Sequence, residues 1–158
     1  YEVAHGMQIV DIDFCVPEDL DALYAIELAC FNSPWPRHVL ENELPDPGEV
    51  IYVKAVLKDT LAAYAVLRRV EDVAHLLNLA VLPDYRRQGI ASQLMLACDE
   101  IAAQWGCRRM RLEVRSSNVG ARTFYAGMGF SYAMRARGYY ADGEDALILV
   151  ARLPLKIK

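Results

Sequence analysis

Apolar and polar positions change rhythm several times along the 158 residues, and each rhythm predicts an element. Met7-Gln8-Ile9-Val10-Asp11-Ile12 alternates, which is the two-residue period of a half-buried strand. Pro17-Glu18-Asp19 then offers a helix start, since proline is tolerated in a first turn and acids complement its positive end. Leu20, Leu23, Tyr24, Glu27 and Leu28 continue that helix until Asn32-Ser33-Pro34-Trp35-Pro36 breaks it. A short helix over Arg37 to Leu44 is expected next, ahead of the turn-forming Pro45-Asp46-Pro47-Gly48. Val50 to Leu57 and Leu61 to Arg68 read as two strands of a hairpin joined at Lys58-Asp59, and Val73 to Val81 as a third, ended by Pro83-Asp84. From Gly89 the spacing widens to three and four residues through Ile90, Leu94, Ala97, Cys98, Ile101 and Trp105, a helix closed by a left-handed Gly106. Arg109 to Arg115 alternates again, with Met110, Leu112 and Val114 on one face. Asn118 caps a helix whose apolar face is Ala121, Phe124, Tyr125 and Met128, with Gly129 at its end; strands over Phe130 to Met134 and Ala146 to Leu153 follow. The order β-α-α-β-β-β-α-β-α-β-β contains no repeat or linker and predicts one α/β domain over residues 1–158.

Composition narrows the partners. The hydrophobic fraction of 54% and charged fraction of 24% suit a soluble globular chain, and no apolar stretch reaches the length of a membrane span. No basic-then-apolar opening suggests a signal peptide, so no membrane partner is expected. A net charge of -4 argues against a nucleic-acid partner, which calls for a basic surface. Arginines do cluster at Arg86-Arg87, at Arg108-Arg109-Arg111 and at Arg135-Arg137. A local cluster in an acidic chain suits a small anionic ligand better than a polyanion, with a set of solvated side chains as the plain alternative. Cys15, Cys30, Cys98 and Cys107 form no C-x-x-C pair, and His5, His38 and His75 show no ligand spacing. No metal site and no disulfide framework is expected, and reduced thiols point to a cytoplasmic setting.

The stretch richest in chemistry runs from Asn78 to Ser92. A strand ends, the basic loop Pro83-Asp84-Tyr85-Arg86-Arg87-Gln88 follows, and a helix begins at Gly89. Unpaired backbone N–H groups at a helix start attract anions, and the small Gly89 and Ala91 leave the main chain approachable. With Arg86 and Arg87 adjacent, the geometry suits a pyrophosphate. The spacing is neither the G-x-G-x-x-G of a dinucleotide fold nor a Walker loop.

As Arg86-x-x-Gly89-x-Ala91, the loop resembles the pyrophosphate motif of GNAT acetyltransferases. Leu112-Glu113-Val114-Arg115-Ser116-Ser117-Asn118, Tyr125, Met128-Gly129-Phe130, the stretch Gly138 to Ala146 and Phe31-Asn32-Ser33-Pro34-Trp35 are similar to the RimI group, the ribosomal-protein-alanine N-acetyltransferases of that family. The stretch Gly138 to Ala146 also resembles archaeal and eukaryotic N-terminal acetyltransferase subunits. The likeness extends from about Leu20 to Val150. It implies the GNAT fold: a central, mostly antiparallel mixed sheet with helices on both sides, opened between the strands ending at Val81 and Val114. It implies acetyl-CoA as cosubstrate, with Leu79, Ala80 and Val81 meeting the pantetheine arm. Arg86, Arg87, Gln88, Gly89, Ile90, Ala91 and Ser92 would hold the pyrophosphate, and Asn118 would also contact CoA. Glu113 matches the general base and Tyr125 the general acid. The implied partner is a protein N-terminus, a ribosomal protein beginning with a small residue such as alanine.

Such chemistry has a physical need for these groups. An α-amine of pKa about 8 is mostly ammonium at neutral pH, so a base must take its proton, and a departing thiolate gains from a donor. A backbone N–H near Val81 would meet the oxyanion. No cysteine lies in a nucleophile motif, so direct transfer in a ternary complex is expected. Other readings stand beside these. Glu113 also fits an ordinary polar strand face, Tyr125 a packing role, and Asn118 a helix cap. Trp35, Tyr139 and Tyr140 suit an acceptor wall or half-buried core. The acceptor could instead be a lysine side chain or a small amine, or the chain a CoA-binding module without catalysis.

Overall fold

The computed structural model describes residues 7–45 and 49–157. Its strands are β1 (Asp11–Phe14), β2 (Val50–Leu57), β3 (Thr60–Val70), β4 (Val73–Val81), β5 (Arg109–Arg115), β6 (Ser131–Ala136) and β7 (Ala146–Arg152). The helices are α1 (Leu20–Cys30), α2 (Arg37–Glu43), α3 (Ile90–Gln104) and α4 (Val119–Ala126), with single 3-10 turns at Pro17–Asp19 and Pro83–Tyr85. Hydrogen bonding joins the strands into one seven-stranded sheet in the order β1-β2-β3-β4-β5-β7-β6. The described residues fall into two compact units. The first takes the chain up to Leu67 together with Asn78–Cys98; the second takes Arg68–Leu77 and everything from Asp99 onward.

In the first unit, β1 pairs antiparallel with β2, from Asp11↔Val56 to Phe14↔Val53. The alternation at Met7 to Ile12 predicts a strand that begins earlier than this. The backbone of residues 8–10 is instead held elsewhere: the Gln8 N–H donates to the Gln88 carbonyl at 2.8 Å, and the Gln93 side chain brackets Gln8 O (2.6 Å) and Val10 N (3.1 Å). The hairpin turn is placed where the sequence has it. Lys58 and Asp59 both take positive φ, 49° and 67°, the pair of left-handed residues that matches the twist of adjoining strands. Six consecutive residues of β3, Ala62 to Leu67, are buried, so this strand is apolar on both faces. Leu23, Ile26, Leu40 and Val53 are buried in the same unit, and Tyr52 stacks on Tyr64 at 6.3 Å. Residues 46–48 of the expected turn after α2 lie outside the described residues.

In the second unit, Val73 to Leu76 of β4 pairs in parallel with Arg109 to Leu112 of β5. Seven residues of β5 pair antiparallel with β7, and β7 pairs antiparallel with β6 across a bulge at Tyr132 and Met134. The two-residue period sorts β5 as the sequence predicts. Met110, Leu112 and Val114 are buried with their ladder partners Ala151, Leu149 and Leu147. The other face of β5 carries Arg109, Arg111, Glu113 and Arg115. Helix α4 starts at its expected cap, where the Asn118 side chain accepts from the Ala121 N–H at 3.1 Å. It stops at Ala126, three residues before Gly129, and Gly129 then turns the chain with φ 100°.

Candidate active site

The loop of the first unit is built to present amides. After the 3-10 turn at Pro83–Tyr85 the chain bends through two left-handed residues, Arg87 (φ 62°) and Gly89 (φ 78°), and α3 begins at Ile90. The opening N–H groups of α3 have no acceptor one turn back, and alternating hand in the backbone curls such amides toward a common concavity that suits an anion. A non-glycine residue held at positive φ costs on the order of 1 kcal/mol, and Arg87 keeps that conformation beside the helix start. Gln88 donates to the Asp84 carbonyl at 3.1 Å and so ties the loop's two ends together. Arg86 is committed elsewhere: Nε donates to Val81 O at 3.0 Å, and Cys30 Sγ, 3.6 Å from Arg86, donates to the same carbonyl at 3.3 Å. Both arginines are exposed; Arg86 is hydrogen-bonded to the end of β4, and Arg87 lies beside the start of α3.

Gly89 has a second reason to be glycine besides an open main chain. A Cβ at this position would lie 2.8 Å from Met7 Cε and 2.9 Å from Met7 Cγ. The segment before β1 therefore packs on the loop, and the missing side chain makes room for it. Among the expected contacts of the pantetheine arm, Ala80 is buried and Leu79 and Val81 are half-buried along the end of β4.

Glu113, at the C-terminal end of β5 in the second unit, sits in a network. Its carboxylate meets His75 Nε2 at 2.7 and 2.9 Å, Arg111 at 3.5 Å, and the Tyr139 hydroxyl at 3.4 Å. On its far side, His75 Nδ1 lies 3.3 Å from an Arg68 guanidinium nitrogen. Guanidinium can only donate, so Nδ1 accepts and the ring hydrogen sits on Nε2, facing the carboxylate. Burial raises the Glu113 pKa, but the hydrogen bonds from His75 and Tyr139 and the nearby Arg111 charge outweigh it and hold the carboxyl below its ordinary value. Tyr139 moves the other way, raised by burial and by the neighbouring Glu113 charge.

The loop between β6 and β7 is tied by charge. Arg115 reaches Asp142 and Glu144 at 2.9 Å and stacks 4.1 Å from the Tyr140 ring. The Ser117 N–H donates to Glu144, which with Arg115 holds the Glu144 carboxyl down at about 2. Asp145 accepts from the Gly138 N–H and from Arg135, both at 2.9 Å, and Tyr139 and Tyr140 meet edge to face at 5.0 Å. Tyr125 is buried, edge-on to Phe124 and Phe130. Trp35 belongs to the first unit, where its backbone N–H donates to Glu27 at 2.8 Å; Glu27 also accepts from Tyr64 (2.5 Å) and Asn78 (2.8 Å).

Each unit thus gathers part of the predicted set. The first holds residues 79 to 81 and 86 to 92, and the second holds Glu113, Asn118, Tyr125, Tyr139 and Tyr140. Sequence reasoning passed over His75, Arg68 and Glu27. One signal was available: β4 is apolar except for His75 and Asn78, and each of these meets a carboxylate. Among the described residues no group of three or more His, Cys, Asp or Glu could hold a metal, the four cysteines are free thiols, and no helix is long and apolar enough to cross a membrane.

Comparison with known proteins gives this geometry its setting. Residues 20–130 match the acetyltransferase (GNAT) family. A ribosomal protein bS18-alanine N-acetyltransferase of Escherichia coli K12 is 34% identical over 142 residues, which cover 88% of this chain and 93% of that protein. An N-alpha-acetyltransferase of Saccharolobus solfataricus is 28% identical over 150 residues, covering 86% and 89%. The crystal structure of the ribosomal-protein-S18-alanine N-acetyltransferase from Escherichia coli superposes with a TM-score of 0.83 at 32% identity, over 92% of this chain and 94% of that one.

Proposed function

This chain belongs to the GNAT acetyltransferase family, and on that premise we propose that it moves the acetyl group of acetyl-CoA onto the α-amine of a protein N-terminus. The Arg68–His75–Glu113 network carries the reading, because it gives the second unit a half-buried, oriented proton acceptor at the end of β5. Its Glu113 is a weak base. Between an ordinary glutamate and an α-ammonium of pKa about 8 lie more than three pKa units, a gap of about 5 kcal/mol, and the lowered pKa of Glu113 widens it. A resting ammonium is therefore a poor proton donor to this site. About a tenth of α-amines are free at pH 7, and these attack the thioester carbon. As the C–N bond forms, the nitrogen becomes strongly acidic, and Glu113 takes its proton while His75 holds the carboxylate in place. The C–S bond then breaks. The thiolate leaves with a proton from Tyr125, and the amide remains on the acceptor.

The loop from Arg86 to Ser92, the strand end Leu79-Ala80-Val81 and the cap Asn118 are the groups proposed to hold CoA. Main-chain amides at the start of α3 and the exposed Arg87 fit the pyrophosphate, and acetyl-CoA supplies the activated acyl group. Residues 1–158 act as a single acetyltransferase domain in the cytoplasm. A small first residue such as alanine, on a ribosomal protein, is the proposed acceptor, by likeness to the ribosomal protein bS18-alanine N-acetyltransferase of Escherichia coli. Tyr139 and Tyr140, beside Glu113 in the second unit, are proposed to wall the acceptor site.

The test is a peptide with an N-terminal alanine and an internal lysine, incubated with acetyl-CoA and analysed by fragment mass spectrometry. Acetyl on the α-amine is expected, with no transfer to an α-blocked copy. Acetyl found mainly on the lysine would replace this reading with a lysine acetyltransferase.

A further inference from the structure

The second unit carries charge of a different sign from the first. Residues 68–77 and 99–158 include 12 Lys and Arg against 8 Asp and Glu, while the rest of the chain includes 5 against 13. Part of that excess lies on one sheet face. Arg109, Arg111 and Glu113 alternate along β5 and share a face, and the β5–β7 register places Arg152 directly opposite Arg109. Like charges facing each other across a ladder destabilise it, so this pair is a burden on the fold. No carboxylate relieves it: among the described residues neither Arg109 nor Arg152 has an ion pair, and both are exposed. Arg111, opposite Val150, reaches Glu113 at 3.5 Å with nearly half of its side chain open to solvent. Glu71 and Asp72 immediately precede Val73, the β4 ladder partner of Arg109; Asp72 meets Arg108 through its backbone carbonyl.

We propose that this face binds an acidic segment of the acceptor polypeptide, downstream of the amine that Glu113 serves. The inference rests on the proposed α-amine transfer and adds a substrate class to it. Its spacing follows from the strand. At about 3.3 Å per residue, Arg111 lies roughly 7 Å and Arg109 roughly 13 Å back along β5 from Glu113. An extended acceptor with its amine at Glu113 would set its third residue near Arg111 and its fifth near the Arg109–Arg152 pair. Asp or Glu at those positions supplies the charge that the ladder lacks.

The experiment uses C-terminally labelled peptides beginning Ala, with glutamate, glutamine or lysine at residues 3 and 5. Binding is followed by fluorescence anisotropy with CoA present, at low and at physiological salt, and acetyl transfer is measured in parallel. The glutamate peptide is expected to bind at least fivefold tighter than the glutamine one at low salt, with the advantage shrinking as salt rises. The double variant Arg109→Glu/Arg152→Glu should remove or reverse that order while leaving transfer to the glutamine peptide within about twofold. The milder Arg109→Gln/Arg152→Gln should remove it without reversal, which guards against misfolding of the charge-reversed chain. Equal binding of all three peptides, or a preference that persists in both variants, overturns the inference. So does a single-stranded RNA oligonucleotide that outcompetes the glutamate peptide on the parent and not on the variants. Charge-ordered binding with no acetyl on any α-amine would instead sink the proposed function and leave the acidic-segment surface standing.

Discussion

At the scale of single residues, the proposed proton chemistry rests on a pair that lies 38 positions apart in sequence. His75 lowers the Glu113 pKa, so removing it must raise that pKa, because burial then acts with fewer opposing groups. His75→Ala is therefore expected to shift the acid limb of the pH–rate profile upward and to lower the rate at neutral pH. His75→Gln, which can still donate to the carboxylate, should restore part of both. An acid limb that stays where the parent has it would show that His75 does not set the state of Glu113. Glu113→Gln should cost roughly 10²- to 10⁴-fold in turnover at pH 7, the range typical of a general base, while calorimetry shows CoA affinity nearly unchanged. An unchanged rate removes Glu113 from the mechanism. The polar face of Glu113 was legible from alternation alone. Its partner was not, because the meaning of His75 arises from the parallel register of β4 with β5, which no local pattern encodes. Glu27 shows the same limit. Its helical spacing with Leu20, Leu23 and Tyr24 places it with the core-facing positions, and it is buried; its partners Tyr64 and Asn78 come from two other strands.

At the scale of elements, the strand-to-helix junction into α3 was the most legible part of the candidate site, since glycine, small residues and arginines stand together there. The sequence could not show why Gly89 has two constraints. One is its φ of 78°, and the other is Met7, which fills the space a Cβ would need. The two can be separated. Gly89→Ala should weaken CoA binding by about tenfold, the equivalent of about 1.4 kcal/mol for a side chain forced into a left-handed conformation next to the amides. Met7 is a flexible side chain, so trimming it removes the clash and leaves the φ problem untouched. Affinity that stays low in Gly89→Ala/Met7→Ala assigns the loss to the backbone of the loop, and full recovery assigns it to packing of the segment before β1. That segment also explains the displaced start of β1, because the Gln93 side chain takes up Gln8 and Val10 before the β2 ladder can. Patterning reads a period but not a competing acceptor 83 residues away.

At the scale of the whole chain, the two compact units are interleaved in sequence. β3 passes from the first to the second after Leu67, β4 returns from the second to the first after Leu77, and α3 passes back after Cys98. Three regular elements would have to break in mid-course for one unit to unfold alone, and each break would strand backbone hydrogen bonds of a helix or ladder. On that continuity we propose that the chain unfolds cooperatively as one domain. The chain carries its own reporters, since of its two tryptophans Trp35 belongs to the first unit and Trp105 to the second. Trp105→Phe leaves fluorescence that reports the first unit, and Trp35→Phe leaves fluorescence that reports the second. In urea, both should give the same midpoint as the far-ultraviolet circular dichroism of the same variant, the coincidence that marks a two-state transition. Saturating CoA should move all the transitions together, because a ligand that binds only the folded chain stabilises whatever unfolds with its site. Separate midpoints, or a CoA-induced shift confined to the Trp35 signal, would mean that the units unfold independently. The loop before α3 would then belong to a domain distinct from the one that holds Glu113, and transfer between them would depend on how two domains meet.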